Sequence, residues 1–436
     1  MIGDISARLR WHGRLAPGHR RSNGELLIGG VRAEELATAY GTPLLAIDFD
    51  VLDAAIAAFT QACAPHGIEI AYAGKALLLV ALARHLKHTA LGLDVCSIGE
   101  LAAAERAGFP PERISLHGCG KIDVELDAAI EGRVGRIIVD NLDELRRLAV
   151  RSTANRPTPL LLRINTGIEA HTHEFIRTSG DKSKFGFDPQ STPAALDLIR
   201  TSPGLQFLGL HAHIGSQIYE QEAFAANAQA LMERAAYFAE AGLETQHLVV
   251  GGGFGVQMHP DQHEDVDLDA TMSSIAQCVH AEAQRWNLRV PRIGIEPGRA
   301  IVANAGTSLY RTMAVKSEFG RPYVIVDGGV YENPRPALYD AYHHIVSASG
   351  ESAQTIETVV CGRTCENDRL GTARLPENMS AGDLIAACST GAYTYSMASN
   401  YNRFTRPAVV AVREGTHTLI ARRESIEDVL RSDCDV

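Results

Sequence analysis

An α/β fold, a (β/α)8 TIM barrel joined to a C-terminal all-β domain, is predicted by three features of this chain. Its 436 residues exceed one ordinary globular core but suit a barrel of roughly 250 residues plus a second domain. Between residues 45 and 312 short apolar runs alternate with helix-patterned stretches, the signature of repeated βα units around a parallel sheet. In residues 313–436 the pattern changes to extended segments separated by Gly, Pro and Asn turns, which reads as a β domain.

The elements follow in order. Residues 1–44 form an N-terminal segment carrying Arg8, Arg10, Arg14, Arg20 and Arg21. It lacks the Ser-rich amphipathic stretch of a transit peptide and reads as a solvated arm. Leu26, Leu27 and Ile28 precede the first helix-like stretch, have no barrel partner, and are assigned to the β domain. Strand candidates then fall at 44–47, 68–73, 92–95, 114–116, 137–139, 160–164, 208–213, 248–250 and 293–295, eight of which suffice to close a barrel. The stretch 224–241, with recurring Ala, Leu and Phe, reads as an amphipathic helix between two of them. Further strands are expected at 323–327, 355–361, 383–387 and 408–412.

Composition narrows the function. A formal net charge of -11 argues against a nucleic-acid surface, which needs clustered Lys and Arg. The longest apolar run, residues 76–83, is far too short to span a membrane. Eight cysteines without a C-x-x-C pair, in a chain that needs no staples, point to a reducing cytoplasm. Small-molecule chemistry is the class left.

In a barrel, the loops after the strands share one rim, where active sites of this architecture lie. Those loops here carry Lys75, Asp94, His117, His213, the run Gly251, Gly252, Gly253, and Glu296. Lys75 and Glu296 together suit an aldehyde cofactor, pyridoxal phosphate. A lysine amine binds the aldehyde, and a carboxylate at the pyridine nitrogen keeps the ring protonated and able to accept electrons. The glycine run is either a tight turn or a set of backbone N–H groups gathered on a phosphate. His211 and His213, at period-2 spacing, are either metal ligands or a flat ring against a cofactor. No nearby carboxylate and histidine set is evident to complete them or the second pair, His171 and His173, so no metal is expected. Residues 175–187 are too polar and Gly-punctuated for a helix and read as a rim loop. Arg335 and Tyr339 offer a guanidinium and a phenol to a carboxylate. Cys365 and Glu366 lie in a turn where a thiol can deliver a proton.

These motifs, in this order, resemble the fold-type III pyridoxal-phosphate decarboxylases, related to the alanine-racemase-like barrels, and most closely their diaminopimelate decarboxylase branch. The resemblance runs from about residue 25 to the end. It rests on YAGKA, LDVCSIGEL, HGCGK, HTHEFIRTSGDKSKFGF, LHAHIGSQI, GGGFG, EPGR, VDGGVYENPRPALYDAY, TCEND and GAYTYSMASNYN. It implies that Lys75 binds pyridoxal 5'-phosphate covalently and that His213 stacks on its ring. Glu296 pairs with the ring nitrogen, and Ser216, Gly251–Gly253, Gly298 and Tyr393 hold the phosphate, with Asp94 and Arg299 also beside the cofactor. Arg299, Arg335, Tyr339, Glu366 and Tyr393 bind substrate. The resemblance also implies a homodimer in which Cys365 and Glu366 enter from the partner subunit. The activity implied is decarboxylation of meso-2,6-diaminopimelate to L-lysine.

Two departures bear on this. His117-Gly118-Cys119-Gly120-Lys121 stands where the family often has HGNNK, and Cys365-Glu366-Asn367-Asp368 brings its Asp one residue closer than the usual CES-x-D. The rival readings are the same machinery on another amino acid, such as ornithine, or a non-catalytic regulatory relative. A diamine pocket would want an acid, for which Asp340 is the candidate. Retention of Lys75, Glu296 and Cys365 together argues against loss of catalysis.

Overall fold

Eight parallel strands close on themselves in sequence order: Glu69–Ala73, Gly92–Val95, Ile114–Leu116, Arg136–Val139, Thr158–Arg163, Leu205–His211, His247–Val249 and Arg292–Ile295. This computed structural model describes residues 5–168, 183–262, 266–318 and 320–434. The last strand meets the first through Gly294 opposite Glu69 and Ile295 opposite Ile70. Such strands are covered on both faces, so they carry continuous apolar runs rather than an alternation. Leu160, Leu161 and Leu162 are all fully buried. The helix Gln221–Glu240 occupies the expected position.

Local chemistry starts several of the connecting helices. Ser97, Asn141 and Asp267 each accept the backbone N–H three residues on, at 3.2, 2.9 and 2.9 Å, which satisfies a donor the helix itself leaves unpaired. Gly108, at φ 70, ends the helix that Ser97 begins.

The described residues fall into two units. Residues 59–256 and 265–298 make the barrel unit, and 1–58, 257–264 and 299–436 make the β unit. One of the nine strand candidates, at 44–47, belongs to the second. Leu44–Asp48 pairs antiparallel with Gly306–Glu318 and parallel with Ala408–Arg413. Its physical reason is that all five residues are buried and the later strands already complete the barrel. The β sheet also starts earlier than residue 313, because Gly306–Glu318 is one 13-residue strand. Its first residue permits a close approach that no other side chain would: a Cβ there would lie 2.2 Å from the Gly391 Cα. The full path runs Arg369–Pro376, Thr355–Cys361, Arg321–Val326, Gly306–Glu318, Leu44–Asp48, Ala408–Arg413, Thr416–Ala421. Leu26 and Ile28 do join this unit, but through a separate three-stranded sheet. They pack into a core with Leu44, Leu309, Leu384 and Val410.

One buried ion pair fixes the loop after the third barrel strand. The Lys121 ammonium, 3% exposed, donates to the Gly118 and Ile138 carbonyls, both at 2.7 Å, and to Glu144 at 2.9 Å. A lysine so saturated is a structural anchor. Removing one partner of such a pair strands the other charge. We therefore expect Lys121→Ala to lower unfolding stability by about 3–5 kcal/mol in urea titrations, and the double replacement Lys121→Met with Glu144→Leu to recover most of it.

Candidate active site

The barrel unit gathers most of the predicted rim residues because three of its loops are laced together through backbone. Glu296 N–H donates to the Gly251 carbonyl at 2.9 Å, and Ala73 N–H donates to the Pro297 carbonyl at 3.1 Å. The Lys75 turn, the glycine run and the Glu296 loop thus hold one another. Glycine is required there: a Cβ at Gly251, Gly252 or Gly253 would lie 2.4, 2.0 or 2.2 Å from the carbonyl oxygen of Ala212, Glu296 or Gly215. Gly251 and Gly253 also take φ of 79 and 99. A Cβ on Gly298 would press within 3.0 Å of the Ala73 Cβ. Ser216 follows His213 on the same rim and is half-buried.

Lys75 sits in a single 3-10 turn, Gly74–Ala76, and is exposed, in contrast to Lys121. Its ammonium is near enough to act on His213, whose imidazole burial first, and then Lys75, hold well below its ordinary range. A neutral His213 accepts the Gly252 N–H at Nδ1, 3.2 Å away. The ring is therefore fixed by the glycine loop.

Glu296 lies between two imidazoles. Its Oε2 meets His211 Nε2 at 2.9 Å and its Oε1 meets His117 Nε2 at 3.3 Å, while Asp94 Oδ1 is 3.4 Å from the same His117 nitrogen. Burial opposes charge on Glu296, but His211 and His117 outweigh it and hold the carboxyl well below the usual range. Burial likewise opposes charge on His117, yet Glu296 and Asp94 overcome it and lift the imidazole from 6.5 to about 9. His211 is pushed down to about 4 by burial and serves as a neutral donor. Asp94 is pushed up, by burial and then by the Glu296 charge.

This cluster corrects the expectation that nothing completes the His211 pair. His117, His211 and Glu296 place donor atoms within 4.8 Å of one another. His213 is not among them, and each Glu296 oxygen faces an imidazole nitrogen, so we read the set as an ion-pair network. His171, His173 and most of the expected rim loop at 175–187 lie outside the described residues. Sequence reasoning placed His117 on the rim and weighed His211 with His213, but it did not bring either imidazole to Glu296. The position of His117 directly after the strand Ile114–Leu116 was the available signal.

The β unit holds the rest. Arg299 and Arg335 are both buried, at 7% exposure each, with guanidinium carbons 4.8 and 5.6 Å from the Tyr393 ring centre. Arg335 also lies 5.5 Å from the Tyr339 ring, and its Nε has no hydrogen-bond partner among the described residues. Burial first and Arg299 second bring Arg335 down to about 10. Two guanidiniums and two phenols are thus gathered here, groups able to hold an anion. Asp340, weighed as the acid of a diamine pocket, is exposed and caps the helix Arg335–Tyr339 in a left-handed conformation. Cys365 and Glu366 are exposed. The Cys365 N–H donates to Asn402 Oδ1 at 3.2 Å, and Glu366 accepts from the Tyr401 hydroxyl.

The His117 imidazolium yields a pH dependence with a definite sign. Its folded value, about 9, is raised above the ordinary 6.5, so the stability it adds is complete below about pH 6.5 and is lost as pH rises through 9. In urea unfolding of the cofactor-free protein, parent should exceed His117→Gln by up to about 3 kcal/mol near pH 6, with the gap closing by pH 10.

The sequence of residues 50–303 matches the family model for the pyridoxal-binding domain of pyridoxal-dependent decarboxylases. A diaminopimelate decarboxylase of Actinosynnema pretiosum subsp. auranticum is 40% identical over 422 residues, covering 95% of this chain and 94% of that one. One from Bacillus subtilis (strain 168) is 40% identical over 426 residues, covering 95% and 96%. The crystal structure of diaminopimelate decarboxylase from M. jannaschii in co-complex with L-lysine superposes with a TM-score of 0.89 at 28% identity, covering 96% of this chain and 98% of that one. An exposed lysine beside a neutral imidazole, an ionised buried carboxylate and a side-chain-free glycine cradle are what pyridoxal phosphate requires, and with this likeness the chain belongs to the pyridoxal-dependent decarboxylases, in the diaminopimelate decarboxylase group.

Proposed function

We propose that this protein decarboxylates meso-2,6-diaminopimelate to L-lysine and CO2, the last step of lysine biosynthesis, with pyridoxal 5'-phosphate as cofactor. The observation that carries the choice of substrate is the buried Arg299–Arg335 pair, enclosed with Tyr393 and Tyr339. A substrate with a carboxylate at its far end neutralises two guanidiniums that are otherwise costly to bury together.

The residues divide the work. Lys75 binds the cofactor aldehyde. Gly251, Gly252, Gly253, Ser216, Gly298 and Tyr393 hold its phosphate, the glycines through backbone N–H groups. Glu296, kept ionised by His117 and His211, holds a proton on the ring nitrogen, with Asp94 behind His117. His213 offers its flat neutral face. When bound, pyridoxal phosphate supplies an electron sink for the pair released as the carboxylate–Cα bond breaks. Arg299, Arg335, Tyr339 and Glu366 orient the substrate so that this bond, and not another, is the one aligned for cleavage. The Cys365 thiol gives its proton to the same carbon and regains one from solvent.

Cys365 and Glu366 are supplied, in this reading, by the partner in a homodimer. Their exposure in the single chain supports it. All eight cysteines are free, which supports a reducing cytoplasm as the working compartment. Among the described residues no helix is long and apolar enough to cross a membrane.

Two measurements test these readings. Assayed for CO2 release, the parent should turn over meso-diaminopimelate and leave lysine and ornithine essentially untouched, and Arg335→Gln should lose between about ten- and a hundredfold in kcat/KM, mostly through KM. Equal activity on lysine would sink the substrate assignment. For the shared site, Cys365→Ala and Lys75→Ala should each be nearly inactive, while their mixture, after demonstrated subunit exchange, should regain activity. A mixture that stays inactive, or a fully active monomer, contradicts the dimer.

A further inference from the structure

We infer that Asp368 is the positioning residue that sets the reach of Cys365 and Glu366, by clamping the short turn that carries them. The inference rests on the shared-site reading above. The Asp368 side chain is 4% exposed, and among the described residues no Lys or Arg forms an ion pair with it. Its carboxylate is spent on backbone instead. Oδ2 accepts the N–H of Val330 at 3.3 Å and of Thr364 at 3.4 Å, and the Asp368 carbonyl accepts the Gly362 N–H at 3.0 Å.

The fit around that oxygen is specific. A Cβ on Gly329 or on Gly362 would lie 2.3 Å from Oδ2, so two glycines leave room for one carboxylate. Arg363 N–H also donates to the Gly328 carbonyl at 3.1 Å. The consequence is a short closed loop. Thr364 is bonded to the Asp368 side chain, which leaves only Cys365, Glu366 and Asn367 outside the clamp. With the Asp one place later, four residues would be free, with more conformations to fix before a proton could be delivered. The same carboxylate grips Val330, five residues before Arg335. Asp368 therefore ties the turn bearing the thiol to the segment that leads to the anion site.

The test uses the dimeric holoenzyme with Cys434→Ser in the background, since Cys434 is also exposed. Asp368→Ala and Asp368→Asn are compared for kcat, KM, bound pyridoxal phosphate per chain and the rate of Cys365 alkylation by iodoacetamide, read by peptide mass. The inference expects Asp368→Ala to lose at least tenfold in kcat, with the cofactor complement intact and Cys365 alkylated at least fivefold faster. Asp368→Asn, which retains an acceptor oxygen, should stay within about threefold of the parent on each measure. Loss of kcat in Asp368→Ala with the alkylation rate unchanged, or an Asn variant as impaired as Ala, overturns it. A fully active Cys365→Ala would instead defeat the shared-site reading itself, so the two failures are distinguishable.

Discussion

The ionised carboxylate of Glu296 is the constraint on which the rest of the barrel rim depends. A carboxyl buried this deeply would ordinarily take up a proton, and a neutral acid cannot favour a protonated pyridine. Two imidazoles prevent that, one charged and one neutral. His117 brings the balancing charge at 3.3 Å, and His211 brings a hydrogen bond at 2.9 Å. Asp94, 3.4 Å from the same His117 nitrogen, helps to hold that imidazole protonated. Each of the three comes from a different barrel strand or its loop, so the closed sheet is what makes the network possible.

The same loop carries the geometry through its backbone. The Glu296 N–H that bonds Gly251 and the Pro297 carbonyl that receives Ala73 make the carboxylate, the glycine run and the Lys75 turn parts of one backbone unit. Side chains there would collide with carbonyl oxygens, which is why glycines recur at 251–253. Fixed dipoles of this kind need no reorganisation when charge develops.

Much of this was legible in the sequence. Uninterrupted apolar runs announced the barrel strands, because a sheet covered on both faces leaves no alternation, and strand-end positions picked out Lys75, Glu296 and the glycine run. What was missed has physical causes. The segment 44–47 is as apolar as a barrel strand, and only the count of closing strands shows that its burial is met in the β unit. The strand Gly306–Glu318 mixes polar and apolar residues because its partners change along its length, from Leu384–Cys388 and Leu44–Asp48 to Arg321–Val326. His117 was legible as a rim residue and His211 as a partner of His213, but their link to Glu296 was not, since that carboxylate lies 179 and 85 residues further on.

The buried arginines pose the opposite problem from Glu296. Glu296 has its counter-charges built in, whereas Arg335 faces Arg299 and two phenols. Burying like charges together is unfavourable, and the folded β unit bears that cost. In the proposed role, a carboxylate held there would relieve it, adding the removal of a repulsion to the hydrogen bonds formed. A substrate lacking that group would leave the repulsion in place and the Arg335 Nε unsatisfied. Discrimination by a missing polar partner is far steeper than discrimination by shape. On the proposed assignment, selectivity for a dicarboxylate would follow from the Arg335 Nε, which has no hydrogen-bond partner among the described residues.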